Sequence, residues 1–351
     1  MNLMAIGFML ATAISLALTP AVGWLATKAG IVDKPRGRHI HERPVPLIGG
    51  LAIFVAFLAT SLMRLELSGW VRGLILGSGF IMAVGVIDDI LELRPLVKFA
   101  GQLIGATAMV YMGVRMEFIS DPLGGMIYLG WLSYPFSVVW ILSFVNAVNF
   151  LDGLDGLASG VVAISSMGLG IIAYGKGHID VAIISVILSG SCLGFLWHNF
   201  HPAQIFMGDT GAMFIGAAMG GISAVGALKG PATLTIAIPV VLMGVAVMDT
   251  TLAILRRVAR KASIGEGDDQ HIHHRLLKMG LTQRQAVGII YAVTVVLSLT
   301  GYYISRQDAT SKGWFIAFVA FAALIGLGAV AGMFKLGKLG RKIRERMVRK
   351  G

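Results

Sequence analysis

The chain alternates between long apolar stretches and short polar segments. A helix needs about 20 apolar residues to cross the roughly 30 Å hydrocarbon core, because the backbone must satisfy its own hydrogen bonds there. The pattern therefore predicts an all-α polytopic integral membrane protein with about eleven transmembrane helices. The stretches cover residues 3–26, 47–64, 70–87, 97–114, 130–148, 157–174, 179–197, 210–228, 232–254, 287–305 and 313–334.

Lysine and arginine are distributed unevenly between these stretches, and cytoplasmic loops retain positive charge. Of the 29 lysines and arginines, 22 lie in four segments: 5 in residues 27–46, 2 in 88–98, 7 in 255–286 and 8 in the tail from 335. The distribution predicts an N-terminus outside and a C-terminus in the cytoplasm. The first stretch has no basic residue before it and is too long for a cleaved signal peptide, so we interpret it as the first span.

The composition excludes an ordinary soluble protein. Of 351 residues, 56% are hydrophobic and 13% are charged, against about 25% charged in soluble domains. We expect one transmembrane domain, residues 1–334, followed by a basic tail, 335–351. The net charge of +11 comes mainly from the cytoplasmic bias and the tail, which favours anionic lipid headgroups over nucleic acid as its partner. The expected cytoplasmic loops are 27–46, 88–98, 149–156, 198–209 and 255–286.

Polar side chains gather at four places at the cytoplasmic ends of the predicted spans. Acidic residues are costly near hydrocarbon, so such placements indicate a functional site. The segments read GVIDDILELRPLVKF, NAVNFLDGLDGLASG, WHNFHPAQIFMGDTGAMF and GEGDDQHIHHRLL. Their candidate residues are Asp88, Asp89, Lys98, Asn146, Asn149, Asp152, Asp155, Phe206, Asp209, His271, His273, His274 and Arg275.

The chemistry of these groups favours a phosphorylated substrate handled at the membrane surface. Carboxylate and amide oxygens suit a hard cation such as Mg²⁺, which often bridges to phosphates. Lys98, Arg275 and the histidines would then hold anionic phosphate groups. The histidines make a poor zinc site, because only His271 and His274 would share a helix face and no cysteine lies near.

Each cluster also has a simpler structural interpretation. Asp88 and Asp89 could form a solvated helix terminus, and NAVNFLDGLDG could be a turn built on Asn and Gly. Asp209 could cap the eighth span, and Phe206 could serve packing alone. Asp249 lies two helical turns before an arginine, so we expect it only to pair with that arginine and leave it outside the site.

The motifs resemble those of the polyprenyl-phosphate N-acetylhexosamine-1-phosphate transferases, in particular the bacterial undecaprenyl-phosphate GlcNAc-1-phosphate transferases of glycosyltransferase family 4. VDKPRGRHIHERPVPLIGG, DDILELRPLVK, NAVNFLDGLDGLASG, FMGDTG and HIHHRLL occur in the family's order across nearly the whole chain. The resemblance implies an enzyme of the bacterial cytoplasmic membrane whose site faces the cytoplasm. It would use Mg²⁺, or Mn²⁺ in its place, to transfer a sugar 1-phosphate from UDP-GlcNAc to undecaprenyl phosphate and release UMP. Such a step begins a cell-envelope glycan such as teichoic acid or O-antigen.

The resemblance also implies roles for particular residues. It makes Asp88, Asp89 and Lys98 the catalytic group and assigns Asn149 and Asp209 to the metal. The segment HIHHRLL lacks the PxHHHxEL-like pattern of the muramoyl-pentapeptide branch, so that branch is not expected. The implied substrate-binding residues are Asn146, Asp152, Asp155, Phe206, His271, His273, His274 and Arg275. Of these, Asp155 and Phe206 would lie near the uracil, and the histidines would lie near the sugar.

The rival hypothesis is a transporter of an anionic metabolite, which would also need many spans and a basic loop. Its polar groups should lie near the bilayer midplane or on both faces, whereas here they lie at one face. We expect UDP-GlcNAc, undecaprenyl phosphate and membrane lipids as partners, with a homodimer left open as the oligomeric form. For the reaction we favour direct attack by the lipid phosphate on the β-phosphorus over a covalent aspartyl intermediate.

Overall fold

A computed structural model of the chain describes residues 2–33, 44–120, 126–226, 236–260 and 271–306, with single positions at 316, 319 and 322. Two short antiparallel hairpins accompany the helices: β1 (Val32–Asp33) pairs with β2 (Val45–Pro46), and β3 (Phe118–Ser120) pairs with β4 (Met126–Tyr128). The helices are α1 (Asn2–Lys28), α2 (Gly50–Arg64), α3 (Gly69–Leu91), α4 (Pro95–Tyr111), α5 (Ser133–Leu151), α6 (Leu157–Gly175), α7 (Ile179–Asn199), α8 (Gly208–Gly226), α9 (Ala237–Leu242), α10 (Gly244–Arg260), α11 (Ile272–Lys278) and α12 (Gln283–Arg306).

These helices confirm the all-α polytopic membrane class. In the described part of the chain, six segments are long and apolar enough to cross a membrane, namely α1, α3, Gly130–Leu151 with α5 inside it, α6, α7 and α12. α2 is a shorter apolar helix. The count of eleven spans and the orientation stay predictions. The tail 335–351 and, apart from three positions, the stretch 313–334 lie outside the described residues.

One predicted span is divided. The sequence predicts a single helix over 232–254, but the structure has α9 and α10 with Met243 between them. The carbonyl of Leu242 accepts a hydrogen bond of 2.7 Å from the hydroxyl of Ser165 in α6, so a side chain supplies the partner that a following helical turn would provide. Hydrophobicity does not report this break, because the residues on both sides are apolar.

α8 forms the centre of the structure, and every residue from Thr210 to Val225 is buried. It packs mainly against α3 and α5. The glycines of this region permit close approach of the helices: a Cβ on Gly216 would lie 2.8 Å from Cα of Val145. A Cβ on Gly85 of α3 would lie 2.6 Å from the carbonyl oxygen of Asp209. Because these backbones are nearly in contact, the polar ends of α3 and α5 meet the first turn of α8.

Candidate active site

Lys98, in the first turn of α4, lies between carboxylates from two other helices. Its Nζ atom is 2.9 Å from Oδ2 of Asp88 and 2.8 Å from Oδ2 of Asp209, and it donates to Oδ1 of Asn149 at 3.5 Å. The turn after α3 makes this possible, because Glu92 adopts a left-handed conformation with φ 49° and ends the helix. The ends of α3, α4, α5 and α8 therefore converge on one ammonium group.

Asp89 is engaged with the start of α8. Its Oδ1 atom accepts the amide of Asp209 at 2.8 Å, and its Oδ2 atom accepts the amide and the hydroxyl of Thr210 at 3.0 and 2.6 Å. The first amides of a helix have no partner inside it, and a negative charge is favourable there. Asp89 of α3 therefore caps α8 and fixes the position from which Asp209 reaches Lys98.

The two residues predicted to hold a metal are in contact. The amide group of Asn149 donates a short hydrogen bond to Oδ1 of Asp209. Asn146, one turn earlier in α5, instead donates to Oε1 of Gln102 at 3.1 Å and to the carbonyl of Leu142 at 2.8 Å. Asn149 and Asp209 thus form one oxygen-rich pair, whereas Asn146 is directed at α4.

Asp152 follows α5 and is half-buried at the wall of a cavity. Its burial and the nearby carboxylates of Asp209, Asp89 and Asp155 raise the pKa of Asp152 to about 8. A raised carboxyl pKa signals that negative charge is poorly compensated at that point. A bound cation would relieve this excess, so the electrostatics of the site favour one.

The loop between α7 and α8 supplies another wall. Oδ2 of Asp155 accepts hydrogen bonds from Nδ1 of His201 at 2.7 Å and from the backbone amide of Ala203 at 3.1 Å. The backbone of Phe206 is held by β2, because the carbonyl of Pro46 accepts its amide at 2.8 Å. Sequence reasoning missed His201, for which the only signal is an imidazole shortly before the FMGDTG motif.

Six residues of HIHHRLL lie in α11, and the first, His271, precedes the helix as its N-cap residue. The helix begins at Ile272, so the prediction that His271 and His274 share a helix face is wrong. The rings instead follow one another, with centroids 5.8 Å apart for His271 and His273 and 4.3 Å apart for His273 and His274. His271 and His273 are buried, whereas His274 and Arg275 are half-buried.

These groups surround a cavity of about 910 Å³, within the range of about 300 to 1,000 Å³ that is usual for small-molecule sites. The predicted residues on its wall are Asp89, Lys98, Asn149, Asp152, Asp155, Phe206, Asp209 and His274. The predicted residues that are not on its wall are Asp88, Asn146, His271, His273 and Arg275. Of these, Asp88 reaches the site through Lys98.

Asp249 is the clearest omission of sequence reasoning. It is buried in α10, where its carboxylate accepts Nδ1 of His271 at 2.8 Å and the amide of Ile272 at 3.0 Å. The expectation that it only pairs with an arginine is therefore wrong. A signal was present, because an acidic residue inside an apolar stretch is costly and seldom lacks a role.

Fold and site together define an all-α polytopic membrane protein with a carboxylate-rich site beside a cavity of ligand size. Comparison with known proteins supplies the family. The model of glycosyl transferase family 4 matches residues 71–227. A probable undecaprenyl-phosphate N-acetylglucosaminyl 1-phosphate transferase of Bacillus subtilis (strain 168) is 37% identical over 328 residues, which are 93% of this chain and 90% of that protein.

Two further relatives extend the comparison. A decaprenyl-phosphate N-acetylglucosaminephosphotransferase of Mycolicibacterium smegmatis is 36% identical and covers 88% of this chain and 85% of its own length. A phospho-N-acetylmuramoyl-pentapeptide-transferase of Moorella thermoacetica is 32% identical over 78% of this chain and 87% of its own length. The chain belongs to the polyprenyl-phosphate N-acetylglucosaminyl 1-phosphate transferases of glycosyl transferase family 4, and the resemblance drawn from its motifs is confirmed.

Proposed function

We propose that this protein transfers N-acetylglucosamine 1-phosphate from UDP-GlcNAc to undecaprenyl phosphate, which yields the lipid-linked sugar pyrophosphate and UMP. The observation that carries the proposal is the convergence of Asp88, Asn149 and Asp209 on Lys98 beside a cavity of about 910 Å³. Phosphoryl transfer depends on positioning and charge neutralisation, and this cluster offers both. The relatives named above are all transferases, so they lend no support to transport.

The donor set fits Mg²⁺. In the described part of the chain, no three His, Cys, Asp or Glu side chains are arranged around one point as metal ligands. Mg²⁺ does not require that, because it commonly takes one or two carboxylates and completes its shell with water and substrate phosphates. Asp209 and Asn149 would hold it, with Mn²⁺ as a substitute. When bound, it would neutralise charge on the pyrophosphate and on the departing UMP.

The protein's own groups orient the two substrates. A phosphate monoester has a second pKa near 6, so the lipid phosphate is mostly a dianion at pH 7 and needs no general base. Its oxygen attacks the β-phosphorus of UDP-GlcNAc, and the bond from that phosphorus to the bridging oxygen breaks as UMP leaves. Lys98 holds the phosphates, and Asp88 keeps Lys98 in place through their ion pair of 2.9 Å.

Four further predicted residues on the cavity wall divide between the two ends of UDP-GlcNAc. Asp155 and Phe206 bind the nucleobase end, with Asp155 oriented by His201. Asp152 and His274, also on the cavity wall, face the sugar pyrophosphate. We place this site at the cytoplasmic face of the bacterial inner membrane, since that side carries most of the basic residues.

The test is a transfer assay with purified protein, undecaprenyl phosphate and three donors: UDP-GlcNAc, UDP-GalNAc and UDP-MurNAc-pentapeptide. We expect a Mg²⁺-dependent lipid product and UMP with UDP-GlcNAc in preference to the other two. No lipid product with any donor, under conditions in which a known relative works, would contradict the proposal.

Isotope exchange separates direct attack from a covalent route. A covalent aspartyl intermediate would allow labelled UMP to exchange into UDP-GlcNAc without any lipid acceptor, because the first half-reaction would be reversible. Direct attack requires the acceptor, so we expect no exchange until undecaprenyl phosphate is added. Exchange in its absence would establish the covalent route and leave the overall transfer reaction intact.

A further inference from the structure

Among the residues that the structure describes, Asp249 is the most deeply buried acidic residue outside the site described above, with 1% of its surface exposed. Both of its oxygens have partners in one short segment: Oδ2 accepts Nδ1 of His271 at 2.8 Å, and Oδ1 accepts the amide of Ile272 at 3.0 Å. We infer that Asp249 and His271 are a positioning pair that sets the place of His274 at the cavity. The inference rests on the proposed transferase function.

The contacts of Asp249 define how His271 is held. A carboxylate can only accept hydrogen bonds, so Nδ1 of His271 carries the hydrogen. An imidazole bonded in this way has a fixed tautomer and a fixed ring plane. The second bond, from Ile272, holds the first backbone amide of α11. One side chain of α10 therefore fixes both the ring of His271 and the start of the helix that carries His274.

A row of rings connects His271 to the cavity. His271 stacks on Phe150 at the end of α5, with centroids 5.8 Å apart. The rings of His271 and His273 are nearly parallel, with planes that differ by 3° and centroids 5.8 Å apart. The ring of His273 in turn contacts that of His274, with centroids 4.3 Å apart. Of these three histidines, only His274 lies on the cavity wall. A displaced His271 would therefore shift the ring that meets the ligand.

His273 is suited to packing within this row. It is 2% exposed, and its ring lies against Gly153, where a Cβ would collide with Nε2. Burial and the neighbouring His274 lower the pKa of His273 to about 3, so the ring is uncharged at neutral pH. The three histidines, which look equivalent in the sequence, thus divide into one anchored by Asp249, one that packs and one that reaches the ligand.

The test is a set of double-mutant cycles on the full-length protein, read as kcat/KM for UDP-GlcNAc. Small displacements of a catalytic-site group can cost about 100-fold, so we expect Asp249→Ala and His271→Ala each to lose between 10- and 100-fold. Because the two residues act as one unit, the double variant should lose no more than the worse single variant. Asp249→Ala should likewise add little to the loss caused by His274→Ala.

Inhibition by UMP distinguishes positioning from general damage. In the proposed function UMP binds around Asp155 and Phe206, away from His274, so its inhibition constant should stay within about twofold of the wild-type value in Asp249→Ala. His271→Phe keeps the stacking ring but loses the Nδ1 hydrogen, and we expect its activity to lie between wild type and His271→Ala. It also provides a reading if Asp249→Ala fails to fold. Glu117→Gln is the matched control, because Glu117 is a paired carboxylate remote from the cavity.

Three results would overturn the inference: additive losses in the cycles, UMP inhibition weakened in parallel with activity, or wild-type kcat/KM in both His271 variants. Each presumes a wild-type protein that makes the lipid product. If the wild type makes none, the proposed function fails before any variant is compared, so the two failures are distinguishable.

Discussion

At the scale of single residues, the site depends on how its carboxylates share one lysine. Lys98 pairs with Asp88 and Asp209, whereas Asp89 is engaged by backbone amides and a hydroxyl. Identical side chains therefore have different environments. The Asp88 and Asp209 carboxylates pair with the ammonium group of a lysine side chain, and the Asp89 carboxylate accepts hydrogen bonds at the start of a helix.

Asp209→Asn tests the metal assignment. The substitution keeps the shape of the side chain but removes an anionic oxygen ligand, so the pyrophosphate charge would be poorly balanced. We expect turnover to be lost while the thermal midpoint stays near the wild-type value. Turnover should be measured across a range of Mg²⁺ concentrations, with Asp180→Asn in the first turn of α7 as control. Near-normal activity at low Mg²⁺ would leave Asp209 with no role in metal binding.

Asp152→Asn tests the charge balance of the cavity. The folded protein raises the pKa of Asp152 to about 8. Between about pH 4 and pH 8, Asp152 is therefore protonated in the folded protein and ionised in the unfolded chain. Stability should therefore fall as pH rises from about 4 to about 8. The Asn variant cannot ionise, so without Mg²⁺ its thermal midpoint should exceed that of the wild type at pH 8 and approach it near pH 5. Equal midpoints at pH 8 would contradict this electrostatic account.

At the scale of elements, Asp89 couples α3 to α8. Asp89→Asn replaces one acceptor oxygen by a donor facing Thr210, and lost hydrogen bonds to a charged group cost about 1.5 to 3 kcal/mol. We expect both a lower thermal midpoint and lower turnover. Thr210→Val should add little further loss to the Asn variant, because the hydroxyl shares the same partner. An unchanged midpoint with lost turnover would instead mean that Asp89 acts directly on substrate.

The second prediction at this scale concerns Arg275 in α11, which the sequence analysis expects to hold an anionic phosphate group. Its guanidinium can hold a phosphate in two places, which lysine cannot do. Arg275→Ala should cost about 1.5 to 3 kcal/mol in transition-state binding, with Arg275→Lys recovering only part. Equal kcat/KM for wild type and the Lys variant would contradict this phosphate-binding role of Arg275.

At the scale of the whole molecule, the site and a second polar cluster lie at opposite ends of α4. Lys98 lies in its first turn, and beyond its other end Arg115 pairs with Glu117 at 2.7 Å. A helix of this length extends about 25 Å, so the two clusters lie far apart along the bundle. This separation agrees with a site confined to one face of the membrane.

Topology mapping tests the orientation. We expect tags at the amino terminus and at residue 120 to be reached from outside the cell, and tags at residue 268 and the carboxyl terminus only from inside. The physical reason is the retention of lysine and arginine in cytoplasmic loops. Labelling of intact cells against permeabilised cells gives the measurement. Exposure of residue 268 on the outside would contradict the orientation.

The sequence by itself determined the features that depend on local chain chemistry. Apolar stretches of about 20 residues specify membrane helices because the bilayer leaves no other partner for the backbone. Most of these stretches became single helices, and the ordered motifs identified the family. Asn149 and Asp209, which the resemblance assigns to the metal, are in contact in the structure, while their role in metal binding stays a prediction.

Only the tertiary structure decided which atoms meet. Asp89 caps a helix 120 residues further on, and Asp249 holds His271 across 22 residues; neither contact leaves a periodic signal in the sequence. The break at Met243 likewise depends on a hydroxyl from α6. These contacts arise because a carboxylate accepts hydrogen bonds from whichever donors the packing of distant helices places near it. Hydrophobic patterning specifies which helix faces are buried, but it does not specify which helices they pack against.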